Sequence, residues 1–121
     1  MKKLVIEKDA KVVDAKHAFE GLFEGLKIEF FRKSHDTNQS SSSKLRVLGT
    51  EQVSSICDSL PHTFELSEDM KVSELETLFE KKAGLHVQVF RKMRNIWIET
   101  VQTDNYTLGQ QIELSQNSVT S

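Results

Sequence analysis

Gly84-Leu85-His86-Val87-Gln88-Val89-Phe90-Arg91-Lys92 restates an earlier stretch of the same chain, Gly25-Leu26-Lys27-Ile28-Glu29-Phe30-Phe31-Arg32-Lys33. Gly, Leu, Phe, Arg and Lys recur in register, and the alternate positions Ile28/Val87 and Phe30/Val89 stay apolar. Once a one-residue slip at Glu24 is allowed, the preceding residues match as well. Asp9, Lys11, Val12, Phe19 and Glu20 align with Asp69, Lys71, Val72, Phe79 and Glu80. A chain that repeats itself at a period of about 60 residues builds one supersecondary unit twice and packs the copies together.

The pattern within each copy names the unit. Leu4 and Ile6 alternate within a short β-type run, Lys3 to Glu7. From Val12 to Leu26 the apolar positions Val12, Ala15, Ala18, Phe19, Leu22, Phe23 and Leu26 follow helical spacing, so one face is buried. Gly25 stands where a left-handed cap closes such a helix. Leu26, Ile28 and Phe30 then alternate with polar neighbours as a half-buried strand. In the second copy a strand is expected at Thr63 to Leu66, a helix from Val72 to Ala83 stopped by Gly84, and a strand from Leu85 to Arg91. A turn at Lys92 to Asn95 leads to a partner strand, Ile96 to Val101. Leu45, Val47 and Leu48 suggest a brief strand pairing back with 26–33, and residues 50–59 a short helix opened by Thr50 and ended by Pro61. The Ser-rich tract 34–43 is expected to be a loop, and 104–108 to cap a last turn of helix.

The expected fold class is therefore α+β: a two-layer sandwich from a tandem β-α-β-β repeat, ferredoxin-like or related. Two main helices would lie on one mostly antiparallel sheet, each half with a right-handed crossover. The expected organisation is a single domain over residues 1–108, with repeat 1 at about 3–48, repeat 2 at about 62–101, and a flexible tail at 109–121.

The C-terminal third carries Gly-Leu-x-Val-Gln-Val-Phe-Arg-Lys, then Asn95-Ile96-Trp97-Ile98-Glu99-Thr100 and Thr103-Asp104-Asn105-Tyr106-Thr107-Leu108. With Leu26-Lys27-Ile28-Glu29-Phe30-Phe31, these stretches resemble an uncharacterised family of small bacterial α+β proteins. Where that family has a Ser-Gly turn and a Trp, this chain has Met93-Arg94 and Tyr106. The resemblance implies no activity and transfers no catalytic residue.

Composition narrows the function classes. A 121-residue chain with 37% hydrophobic and 28% charged residues is an ordinary globular composition. Its net charge of −2 gives no bulk attraction to nucleic acid or anionic lipid, so such binding needs a local patch. The single cysteine, Cys57, excludes an internal disulfide, and its apolar neighbours predict a buried, inert thiol. The apolar run after Met1-Lys2-Lys3 is too short for a signal peptide, and no stretch approaches a membrane span. The expectation is a cytoplasmic protein with no membrane partner and no cofactor.

Strand alternation selects the candidate site. If Leu26, Ile28 and Phe30 face the helices, Lys27, Glu29, Phe31 and Lys33 face away. Likewise Leu85, Val87 and Val89 go in, while His86, Gln88 and Phe90 go out. Ile96 and Ile98 take the inner face; Trp97, Glu99 and Val101 take the outer. Phe31, Phe90 and Trp97 then share one surface, with Arg32, Arg91, Lys92 and Arg94 at its end. Contiguous exposed aromatics mark a protein interface, so the first reading is a non-enzymatic macromolecule-binding or self-associating domain, a homodimer included. Packing within the chain is the second reading. Single-stranded nucleic acid stacked on the aromatic and basic face is the third, though the glycine-aromatic signature of RNA-recognition sheets is absent.

A metal-dependent enzyme of paired β-α-β-β modules, of the glyoxalase kind, offers only His62 and Glu99 as a ligand pair; His17, His35 and His86 read as solvated. No metal residues are assigned, because a site needs at least three converging donors. Glu74, Glu76 and Glu80 read as the solvated face of the second helix, and no catalytic residues are assigned.

Overall fold

The structure, a computed structural model, describes residues 1–32, 45–57 and 59–120, with side chains as far as Asn117. The tract 34–43 lies outside the described residues. The elements run β1 (Lys2–Ile6), α1 (Val12–Leu22), β2 (Leu26–Phe31), β3 (His62–Leu66), α2 (Val72–Ala83), β4 (His86–Met93), β5 (Ile96–Glu99) and α3 (Leu108–Thr120), with 3-10 turns at Val53–Ser55 and Val101–Thr103.

The first two helices form for the same reasons. Val12, Ala15 and Phe19 are buried along α1, and Val72, Leu75 and Phe79 at the matching positions of α2. Each begins with an acid three residues in that turns back to accept a backbone N–H. Lys11 N–H donates to Asp14 Oδ2 at 3.0 Å and Lys71 N–H to Glu74 Oε1 at 2.9 Å. Gly84, at φ 64°, ends α2 in the left-handed conformation that costs glycine least.

The class is α+β, and the described residues form three helices and two antiparallel sheets. The expected single sheet is instead two: among the described residues β1 pairs with β3, and β2, β4 and β5 form a separate three-stranded sheet. Because β1 and β2 belong to different sheets, the crossover that the expected template makes within one sheet is not formed. Alternation tells which side of a strand faces the core, but not which strand lies beside it.

The registers carry the internal match into three dimensions. In the β1–β3 ladder Leu4 faces Phe64, and in the β2–β4 ladder Glu29 faces Gln88. Each pair consists of positions that the sequence comparison equates. Like pairs with like around two centres, as in a two-fold dimer.

The segments after β2 and β5 extend the correspondence. A helix leaves its first N–H groups without internal partners, and here both helices are served by a returning strap. Val12 N–H donates to Glu51 O (2.8 Å) and Val13 N–H to Gly49 O (3.0 Å); Val72 N–H donates to Tyr106 O (3.0 Å) and Ser73 N–H to Asp104 O (2.8 Å). Val53 N–H then bonds Ala10 O, as Leu108 N–H bonds Met70 O. The brief strand expected at 45–48 is a single bridge, Phe31↔Arg46, and the short helix expected at 50–59 shrinks to the Val53–Ser55 turn.

Residues 109–120 correct the sequence reading most. The expected flexible tail is instead α3, opened by Thr107, whose Oγ1 accepts the Gln110 N–H at 3.1 Å. Leu108, Gln111 and Ser115 are buried, and Ile112 packs on the core. One apolar cluster joins both sheets and the first two helices, with Phe64 and Phe79 stacked at 4.1 Å between ring centres. Ile96 and Ile98, expected to face inward, lie beyond the reach of this core and are exposed.

Candidate binding surface on the three-stranded sheet

Cross-strand pairing places Lys27 beside Phe90, Phe31 beside His86 and Lys92 beside Trp97. Phe31, Phe90 and Trp97 therefore share one face, as alternation predicts. Two of the three are not open to solvent. Phe31 is 2% and Phe90 6% exposed, yet neither belongs to the main core cluster. Cations lie over the rings instead. Lys27 Nζ is 4.9 Å from the centre of Trp97 and 5.4 Å from that of Phe90, and the Arg46 guanidinium sits 5.8 Å from Phe90 and 5.9 Å from Phe31. Alternation put Lys27 on this face without giving it a role, and it missed Arg46, which has no local signal that marks it as the cover of a distant strand.

Beneath the cations lies a buried polar pair. Glu29 binds Lys16 at 2.8 Å and Lys27 at 3.1 Å. Burial alone would raise the Glu29 carboxyl, but the hydrogen bonds and charges of the two lysines outweigh it and hold the group below its ordinary value. Gln88, across the ladder, donates from Nε2 to Glu76 Oε2 at 3.3 Å. Glu76 is accordingly not part of a solvated helix face, although Glu74 and Glu80 are exposed. Burial, with Asp104 and Glu99 nearby, raises its carboxyl to about 7 against the pull of the Val89 backbone.

The expected basic end divides. Arg32 forms an ion pair with Glu51 at 2.5 Å. Arg91 pairs with Leu26, so it lies on the opposite face from the aromatics, where its Nη1 donates to Gln111 of α3 at 2.5 Å. Neither belongs to the aromatic surface. Lys92 and Arg94 remain on the β4–β5 hairpin and line, with Trp97, a groove of about 710 Å³ whose facing wall carries Glu20 and Glu24.

The exposed apolar side chains gather just beyond. Ile96 is 63%, Ile98 36% and Val101 39% exposed, on or next to the strand that ends the sheet. Arg94 turns the hairpin at φ 60°, the only non-glycine residue with positive φ among those described.

Other candidates separate. His62 lies on β3 against Ser59 Oγ (3.1 Å), while Glu99 is in the other sheet. Among the described residues no group of three or more His, Cys, Asp or Glu is placed to hold a metal. Cys57 is buried, its thiol 3.2 Å from the Ala83 carbonyl. No helix among the described residues is long and apolar enough to cross a membrane. Comparisons with protein-family models, with curated sequences and with solved structures give no match.

Proposed function

We propose that this chain is a non-enzymatic binding or self-associating domain, built from a diverged tandem β-α-β-β repeat, that acts through its β4–β5 hairpin. The observation that carries the reading is the clustering of Ile96, Ile98 and Val101 in the open at the end of the sheet. An apolar terminal strand is a liability unless a partner covers it. The partner class is protein, a second copy of the chain included. We place the domain in the cytoplasm, among the uncharacterised small bacterial proteins it resembles; the lone buried thiol fits a reducing compartment.

Single-stranded nucleic acid is the second reading, favoured by Trp97 standing beside Lys92 and Arg94 in one groove. It has less to work with than the sequence suggested, because Phe31 and Phe90 lie under Arg46 and Lys27.

Trp97 is the only tryptophan, so its emission reports on this surface alone. A blue shift as protein concentration rises, with no response to mixed oligonucleotides at low salt, supports the protein reading. Saturable quenching by oligonucleotide supports the second. An emission indifferent to both, alongside unchanged mass, overturns the assignment of this surface.

A further inference from the structure

We infer that the partner at this edge is a second copy of the chain, its β5 paired antiparallel with β5 about a two-fold axis through Trp97. The inference rests on the binding reading above and names the partner within it.

The hairpin fixes which backbone groups are on offer. Met93 faces Ile96 across a two-residue turn, and the closing pair of such a turn exchanges hydrogen bonds. Arg91 and Ile98 then form the next bonded pair, and Thr100 N–H donating to Val89 O at 3.2 Å continues the alternation. The N–H and C=O groups of Trp97 and Glu99 therefore point away from β4, toward the side of β5 where no strand among the described residues lies. That is the requirement for adding a strand.

The side chains choose the strand. Arg94-Asn95-Ile96-Trp97-Ile98-Glu99 runs from a basic to an acidic end through an apolar centre. Antiparallel pairing about Trp97 sets Ile96 against Ile98 of the second copy, twice, so all four exposed isoleucines are covered by isoleucine. On the other face the two indoles meet at the axis. Each Glu99 falls opposite Asn95 of the other copy, at the turn that carries Arg94. A shift of the axis to Glu99 puts like charges directly opposite, which destabilises a ladder. A shift to Ile96 lays each Ile98 against an arginine. Of these registers, the one about Trp97 satisfies the apolar and the charged positions together. So short a strand buries an area at the low end for protein pairs, the class of weak and transient contacts.

The test uses two variants of the full chain, Asn95→Cys and Glu99→Cys, both at exposed positions and both retaining the buried Cys57. Under mild oxidation at high concentration, the mixture of the two is expected to form covalent dimer at least about tenfold faster than either alone, because only the mixed pair faces across the axis. Equal rates for mixture and single variants, or no covalent dimer, overturn the inference. In that event a concentration-dependent Trp97 emission leaves the binding reading standing and sinks only this pairing, whereas a constant emission removes both.

Discussion

Glu29 and Gln88 stand opposite each other across the β2–β4 ladder, and each is held by the helix of its own half. Lys16 of α1 reaches Glu29 at 2.8 Å, and Glu76 of α2 accepts from Gln88 at 3.3 Å. Lys16 and Glu76 occupy matched positions in the internal repeat. The link between helix and strand is thus made twice with different charges: an ion pair in one half, and a carboxyl on an amide in the other. The two halves consequently respond to pH in opposite directions.

Glu76 makes the fold less stable as pH rises. Its carboxyl, raised by burial from an ordinary 4.5 to about 7, binds its proton more tightly when folded. The stability this contributes is complete below pH 4.5 and is lost as pH climbs through 7. Glu76→Gln keeps the acceptor for Gln88 without the charge. In urea titrations it should match the wild type near pH 4.5 and exceed it at pH 8 by on the order of 2 kcal/mol.

Glu29 does the reverse. Its folded carboxyl lies below the ordinary value, so its contribution is present above pH 4.5 and disappears as pH falls through the folded value. Glu29→Ala strands Lys16 and Lys27 beside buried surface and should cost about 3 kcal/mol at pH 7. Glu29→Gln should cost roughly half as much, and both differences should shrink in acid. Urea midpoints at pH 7 and 3 measure this.

Two glycines with positive φ should answer differently to alanine. Gly84 (φ 64°) has nothing within 4 Å of an added Cβ, so Gly84→Ala meets only backbone strain, about 1 kcal/mol. At Gly25 (φ 88°) an added Cβ lies 2.6 Å from Ser115 Oγ of α3. Gly25→Ala should cost a further 1–2 kcal/mol or so and loosen α3, seen as faster amide exchange in Gln111 to Ser115.

Arg94 holds a conformation that glycine adopts more readily. Arg94→Gly should raise the melting temperature slightly, by the equivalent of about 0.5 kcal/mol, while leaving the Trp97 emission of the monomer unchanged.

Helical spacing made α1 and α2 legible from Val12, Phe19, Val72 and Phe79, and alternation put Phe31, Phe90 and Trp97 on one face. Neither signal reaches across the chain. Phe31 reads as exposed until Arg46 is placed over it, and Arg91 reads as part of a basic cluster until its pairing with Leu26 turns it toward Gln111. Helix α3 escaped because two of its buried positions, Gln111 and Ser115, are polar. Gln111 is satisfied by Thr103, through its carbonyl at 2.8 Å and its hydroxyl at 2.9 Å, so a polar residue fills a core position without an apolar period to reveal it. The straps at 49–53 and 104–108 bond through backbone atoms, which leave almost no trace in residue type.

The claim that the edge of β5 is the working surface is tested most directly by molar mass. Static light scattering of the wild type and Ile98→Lys, from low micromolar to near-millimolar concentration, compares a covered edge with a charged one. The account predicts a wild-type mass climbing from 13.8 kDa toward that of a dimer, with the variant constant at 13.8 kDa and equally well folded. A wild type that stays at 13.8 kDa throughout, or a variant that associates just as strongly, contradicts it.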